Sequence, residues 1–247
     1  GFLRDSPSAA QRLCHVLSNS RFLGDALNKS VESVTWLGND ESLQPRSRES
    51  LNIQTKATLE RNAGNINDFA NSIRAMRRHE IERIGLAWMS GVIDDEASLA
   101  GMTDVYDAAI EASLQWAIRH RINDMQLEQA PAAIAIIGMG RYGGREVNFS
   151  SDADVIIIYR PAEGADDTQA NLFARKVQED LRAILQGPTT FEPKIELDMD
   201  LRPEGKNGPL VRSYASCEEY YRSWASTWEH QALLRARYAA GDAADRK

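Results

Sequence analysis

Two short apolar runs, Ala133-Ile-Ala-Ile-Ile137 and Val155-Ile-Ile-Ile-Tyr159, bracket a glycine-rich stretch that closes on Asp152-Ala-Asp154. Apolar runs of this length, bounded by glycines, read as buried strands. The stretch between them is Gly138-Met-Gly-Arg-Tyr-Gly-Gly-Arg-Glu-Val-Asn-Phe-Ser-Ser-Asp-Ala-Asp154, and its Gly138, Gly140 and Gly143 satisfy G-x-G-x-x-G. A dinucleotide unit needs a full helix after the glycines, then a second strand whose far end carries an acidic residue. Only about ten residues separate Gly144 from Val155, and the acids stand at the strand's beginning. The dinucleotide reading fails on spacing.

A second reading suits the residues. Gly143 and Gly144 carry no Cβ, so their backbone amides can turn inward and approach phosphate oxygens as a nest does. Asp152 and Asp154 are two apart, which in a strand puts both carboxylates on one face, roughly 6.5 to 7 Å apart. That is close enough to converge on hard cations such as magnesium, which takes a few carboxylates, waters and substrate phosphate oxygens. A third carboxylate would complete the site, and Lys194-Ile-Glu-Leu-Asp-Met-Asp-Leu-Arg202 offers one. Strand alternation places Glu196, Asp198 and Asp200 on one face, and periodicity does not choose among them. An Asp-x-Asp seen alone is more often turn or cap chemistry. Joined to the glycines, the strand that follows and the later acidic strand, it favours catalysis, in an arrangement resembling that of polymerase-β-type nucleotidyltransferases.

From about Ser8 to Asp124 the pattern is helical: Phe69, Ile73, Met76, Ile84 and Trp88 recur at three- or four-residue spacing, and Thr103 to Ile122 gives another amphipathic segment. After Pro131 strands and helices alternate. A helix is expected from about Thr168 to Leu185, with Asp166 and Asp167 at its positive end and Gly187-Pro188 as its stop. Phe191 to Leu201 reads as a third strand, and Ser216-Cys-Glu-Glu219 as a capping box opening a last helix that runs toward Ala239. The expectation is a helical region over 1–125 followed by an α/β or α+β core over 126–247, with a small mixed sheet and a C-terminal helix.

Other chemistries find little support. The net charge of -7 argues against a general nucleic-acid binder. No window holds the roughly 18 apolar residues of a spanning helix, and Gly1-Phe2-Leu3-Arg4-Asp5 lacks a signal-peptide pattern, so a cytoplasmic location is expected. Cys14 and Cys217 lack paired spacing and read as reduced, structural thiols. His15, His79, His120 and His230 show no ligand spacing and read as packing or surface residues. Ser150 and Ser151 lack a partnered histidine motif, and no G-x-x-x-x-G-K-S/T exists. Arg74, Arg77 and Arg78 read as a solvated face. Tyr220, Tyr221, Trp224 and Trp228 read as core at helical spacing, with Glu229 and Arg235 among them as possible buttresses of the site.

Three segments carry a specific resemblance that spans nearly the whole chain: Gly140 to Asp154; Asp198-Met-Asp-Leu-Arg-Pro-Glu-Gly-Lys-Asn-Gly-Pro-Leu-Val211; and Thr227-Trp-Glu-His-Gln-Ala-Leu-Leu-Arg-Ala-Arg237. Together they resemble the glutamine synthetase adenylyltransferases. That family carries two related nucleotidyltransferase halves, one adding AMP to glutamine synthetase and one removing it by phosphorolysis. The opening Arg12 to Leu23 and the Trp-Glu-His-Gln segment are more similar to the C-terminal, adenylylating half. The resemblance implies transfer of AMP from ATP to a tyrosine, with Asp152, Asp154 and Asp198 as catalytic residues binding two magnesium ions. It further implies that Gly143, Gly144 and Ser151 line the triphosphate. Arg202 and Lys206 are added as phosphate-side cations for their charge and proximity to Asp198. Asp200 departs from the family pattern, where this position is often basic. The partner implied is glutamine synthetase, with a nitrogen signal protein possible in a longer enzyme. The alternatives are phosphorolytic removal of AMP by the same fold and a non-catalytic regulatory docking module.

Overall fold

The computed structural model describes residues 1–188 and 192–241. Helices α1 (Phe2–Asp5), α2 (Pro7–Asn19), α3 (Arg21–Lys29) and α4 (Asp40–Leu43) form the leading segment, with a 3₁₀ stretch at Val31–Gly38. Their apolar faces, among them Val16, Leu23, Leu37 and Leu43, pack onto Leu86 and Ala87. Those last two belong to α6 (Ile66–Met89), which with α5 (Arg48–Arg61) and α7 (Asp95–Asp124) makes the main helical layer. The long helices start where the sequence offers caps: Asn65 accepts the Asn67 and Asp68 amides at α6, and Asp94 accepts the Ala97 amide at α7. None of the helices among the described residues is long and apolar enough to cross a membrane.

The second half opens with β1 (Ala132–Gly138), a one-turn helix α8 (Gly140–Gly143) and β2 (Ala153–Pro161). β1 pairs antiparallel with β2, from Ala132 opposite Pro161 to Gly138 opposite Val155. Helix α9 (Asp167–Gln186), capped by Asp166, lays Phe173, Val177, Leu181 and Ile184 on the sheet. The sheet is completed by β3 (Leu197–Asp198) and β4 (Val211–Ser213), both parallel to β2, and by β5 (Arg237–Gly241), antiparallel to β1. Helices α10 (Tyr214–Ser223) and α11 (Thr227–Leu233) lie between β4 and β5. This is the α+β architecture with a small mixed sheet that the strand pattern leads one to expect. A single apolar core runs from Leu51, Phe69 and Ile73 through Tyr106 and Trp116 to Ile136, Ile157, Phe173 and Ala240. Each such side chain, fully buried, contributes about 1.5–3 kcal/mol.

Several expectations are corrected. The third strand shrinks to Leu197–Asp198, and its expected start at Phe191 lies outside the described residues. The helix expected to reach Ala239 is two short helices followed by a strand. Its cap is Ser213, whose side chain accepts the Ser216 amide, and the capping box belongs instead to Ser226 and Glu229 at α11. Trp224 and Trp228 are 76% and 55% exposed, not core. Glu229 is occupied by its cap, accepting the Ser226 amide and hydroxyl and the Tyr220 hydroxyl.

The arginine run is the larger correction, because it faces inward, and Arg74 and Arg78 tie the helical layer to the second half. Arg74 is fully buried, and its Nε donates to the Ile184 carbonyl at 2.8 Å. Arg77 donates to the Tyr106 hydroxyl at 2.9 Å, and Arg78 grips the Glu192 carboxylate at 2.8 and 3.1 Å. These partners lie 110, 29 and 114 residues away in sequence, so no local pattern signals them.

Candidate active site

Strand β2 brings the acids together by starting beside β3. Asp154 stands opposite Asp198 in the parallel register, with Ala153 opposite Leu197. Neighbouring strands lie about 4.8 Å apart, so these two carboxylates are side by side. Asp152 precedes the strand, exposed, and lines a cavity of about 580 Å³ with Asp198 and Asp200. Asp154 is half-buried: burial first, then the Asp198 and Asp152 carboxylates, push its pKa above the usual carboxylate range.

That crowding is what a hard cation would relieve, and the donors are all carboxylate oxygens, the ligand type magnesium prefers. Among the described residues no three acidic, histidine or cysteine side chains are already closed around a metal position. Asp198 Oδ1 accepts the Asp200 amide at 2.7 Å. The residues thus fit a divalent cation by charge and chemistry, with Asp198 free to exchange a backbone hydrogen bond for a metal contact.

The glycines act differently from the nest expected of them. The Gly143 and Gly144 amides already donate to the Met139 and Gly140 carbonyls, at 2.6 and 3.0 Å, as the turn α8 requires. What Gly143 supplies is space: a Cβ there would lie 2.1 Å from the Arg235 carbonyl and 2.5 Å from that of Gly138. At Gly144 an added Cβ would meet the movable Arg235 guanidinium and the fixed Gly140 carbonyl, both at 3.3 Å.

The glycine most closely tied to the acids is Gly140. Its φ is +52°, and a Cβ there would stand 2.5 Å from Asp154 Oδ2. The sequence signal was the G-x-G pattern, discarded with the dinucleotide reading although one of its glycines bears directly on the site.

Ser151 is engaged in its own turn, where its hydroxyl donates to Asn148 Oδ1 at 2.9 Å and accepts the Asn148 amide at 3.0 Å. Its carbonyl accepts the Tyr106 hydroxyl at 3.1 Å. Arg77 bonds that same hydroxyl, so a chain of contacts runs from α6 through α7 to the loop bearing Asp152.

The two added cations, Arg202 and Lys206, both line the cavity that holds Asp152 and Asp198. Arg202 is only 7% exposed and spends its donors on the backbone of its own loop: Nε on the Gly208 carbonyl at 2.9 Å, Nη1 on Met199 at 2.8 Å and Nη2 on Lys206 at 2.9 Å. It shapes the loop with three of its five N–H donors and also lies 3.8 Å from an Asp200 carboxylate oxygen. Lys206 is exposed and pairs with Asp200 at 3.1 Å.

Sequence reasoning missed Arg237 and Asp107. The Arg237 guanidinium forks onto both oxygens of buried Asp107 at 2.9 Å and also reaches the Gly143 and Tyr142 carbonyls at 3.3 and 3.2 Å. It clamps the glycine turn between β5 and α7. The 130 residues between Arg237 and Asp107 explain why no motif revealed them. Arg235, read as a buttress, instead makes an exposed pair with Glu146 at 2.6 Å.

With this geometry in view, comparison with known proteins is specific. A family model described as glutamate-ammonia ligase adenylyltransferase matches residues 10–247. The chain is 77% identical over 243 residues to a bifunctional glutamine synthetase adenylyltransferase/adenylyl-removing enzyme of Bifidobacterium longum (strain DJO10A), covering 98% of this chain and 23% of that protein. Enzymes of the same description from Mycobacterium avium (strain 104) and Mycobacterium tuberculosis (strain ATCC 25618 / H37Rv) are 41% identical over 246 and 244 residues. Each alignment covers 98% of this chain and 24% of the relative. The chain therefore spans about a quarter of the length of the curated relatives it matches.

Proposed function

The chain belongs to the glutamate-ammonia ligase adenylyltransferase family, and on that premise we propose that it transfers AMP from ATP onto a tyrosine of glutamine synthetase. The observation that carries this reading is the Asp154–Asp198 pair across two parallel strands, with Asp152 at their mouth. Residues 126–247 are the catalytic core in this reading, and 1–125 are the helical support. The reaction takes place in the cytoplasm.

Asp152, Asp154 and Asp198 would hold magnesium, which would supply Lewis-acid charge at the phosphates. The chain's own residues do the rest. Gly143, Gly144 and Ser151 line the triphosphate in this reading from the turn beside the acids, a turn whose exposed edge is Gly144. A tyrosine phenol has a reference pKa near 10 and must shed its proton to attack well at neutral pH. Asp198 accepts that proton as the phenolic oxygen bonds to the α-phosphorus and pyrophosphate departs. A nitrogen signal protein acts on the longer enzyme through parts outside this quarter.

The test is to mix the protein with glutamine synthetase, magnesium and radiolabelled ATP, and in parallel to add orthophosphate to pre-labelled glutamine synthetase. Label gained by glutamine synthetase, and lost with Asp152→Asn, supports transfer. Phosphate-driven release without incorporation assigns the removing reaction instead, and neither signal would leave a docking module.

A further inference from the structure

Arg202 and Lys206 both line the acidic cavity, where Arg202 holds three carbonyls of its own loop and Lys206 pairs with Asp200. The opposite wall supplies another cation. Gln178, Arg182 and Gln186 occur at i, i+4 and i+8 on α9, so they share one helix face. All three line the 580 Å³ cavity that holds Asp152 and Asp198, and all three also line an adjoining cavity of about 840 Å³. They mark the junction of the two spaces.

Gln186 is engaged, donating to Glu196 Oε2 at 2.6 Å. The other two are not. Among the described residues Arg182 forms no ion pair or side-chain hydrogen bond, although carboxylates line the same cavity. Gln178 is only 6% exposed, yet its amide makes no hydrogen bond among the described residues. Gln178 is not among the sealed, unpartnered polar groups, so its amide opens onto the two cavities and is available to whatever fills them. A guanidinium offers a planar fork of donors that matches phosphate oxygens.

We propose that Arg182 and Gln178 hold the β- and γ-phosphates of the nucleotide, from the α9 wall facing Asp152 and Asp198. The assignment rests on the nucleotide reading above and adds to it the residues that take the leaving pyrophosphate. Arg182 supplies positive charge on the side of the phosphates away from the acids. Gln178 donates from the floor between the two cavities.

The test measures binding of ATP and of AMP, each with magnesium, by calorimetry on the full-length protein and on its Arg182→Ala, Arg182→Lys and Gln178→Met variants. Arg182→Ala weakens ATP by about tenfold or more, the scale of one charged hydrogen bond, and leaves AMP within about twofold. Lysine at 182 recovers part of the loss, because it restores charge without the fork. Gln178→Met keeps the buried volume and weakens ATP several-fold, again sparing AMP. ATP affinity unchanged by Arg182→Ala, or ATP and AMP weakened equally, overturns the assignment while the nucleotide reading stands. A wild-type protein that binds no ATP overturns that reading and this one with it.

Discussion

A Cβ added at Gly140 would stand 2.5 Å from the Asp154 carboxylate oxygen Oδ2, so the glycine's missing side chain is the space the acid occupies. Gly140→Ala meets two costs: the left-handed φ of +52°, worth about 1–2 kcal/mol for an L-residue, and displacement of Asp154. A shift of about 1 Å at a reacting centre costs on the order of 10²-fold. Gly140→Ala is therefore expected to lower the melting temperature by a few degrees and AMP transfer about a hundredfold. Wild-type transfer by a folded Gly140→Ala protein would mean that the placement of Asp154 is immaterial.

Asp154 should also leave a mark on stability. Burial and the neighbouring carboxylates raise its pKa in the folded chain, which therefore holds this proton more tightly than the unfolded chain does. Stability falls as pH rises through the window from the ordinary carboxylate value to the raised one, and the penalty is fully present above it. Asp154→Asn removes the penalty. In chelator-treated protein the variant should melt above wild type at pH 7, and the gap should close below the ordinary carboxylate range. Transfer by the same variant should fall by about 10²–10³ or more. A variant melting below wild type at pH 7 would contradict the crowding described here.

Asp198 and Asp200 should separate cleanly. Asp198 sits in the strand pair with Asp154, whereas Asp200 is in the turn beyond it, paired with exposed Lys206. Asp198→Asn is expected to eliminate tyrosine adenylylation while ATP binding remains measurable, since Asp152 and Asp154 still hold one metal with the triphosphate. Asp200→Asn should cost less than about threefold, because an exposed ion pair contributes only about 0–1 kcal/mol. The reverse order in activity and calorimetry would reassign the third acid.

Arg202→Lys distinguishes a loop scaffold from a phosphate ligand. A lysine keeps the charge but does not reach three carbonyls from one planar group. Folding stability is expected to drop by about 1–3 kcal/mol in denaturant titration. ATP affinity of the folded fraction should change less than about threefold. A large loss of ATP affinity with unchanged stability would restore the phosphate role.

How far the sequence could be read depended on whether a partner was local. The runs 133–137 and 155–159 announced their strands because each apolar run carries its own stop, Gly138 after the first and Arg160-Pro161 after the second, and Asp166 announced α9 as a cap. The Glu196, Asp198, Asp200 alternation also mimicked a strand. Only Leu197 and Asp198 join the ladder, because the Asp198 side chain captures the Asp200 amide and turns the chain. Residues 237–241 looked helical by composition, yet they pair with β1 about a hundred residues earlier, a choice tertiary structure makes over propensity. Arg74, Arg77 and Arg78 looked solvated for the same reason: their acceptors are remote. The acids of the candidate site were legible because their chemistry is written in a short span. The α9 face was not, since nothing in Gln178 or Arg182 alone distinguishes them from an ordinary polar surface.

Arg74 and Arg202 both donate to backbone carbonyls, of Ile184 in one case and of Met199, Lys206 and Gly208 in the other. A carbonyl is the same whichever side chain its residue carries. Substitution at 184, 199 or 206 therefore need not be answered by a change at 74 or 202, and these carbonyl contacts should leave no correlated pairs of their own in a collection of related sequences. At these carbonyl positions the loop beside the acids and the seam between α6 and α9 can thus drift in composition while the arginine keeps its hold.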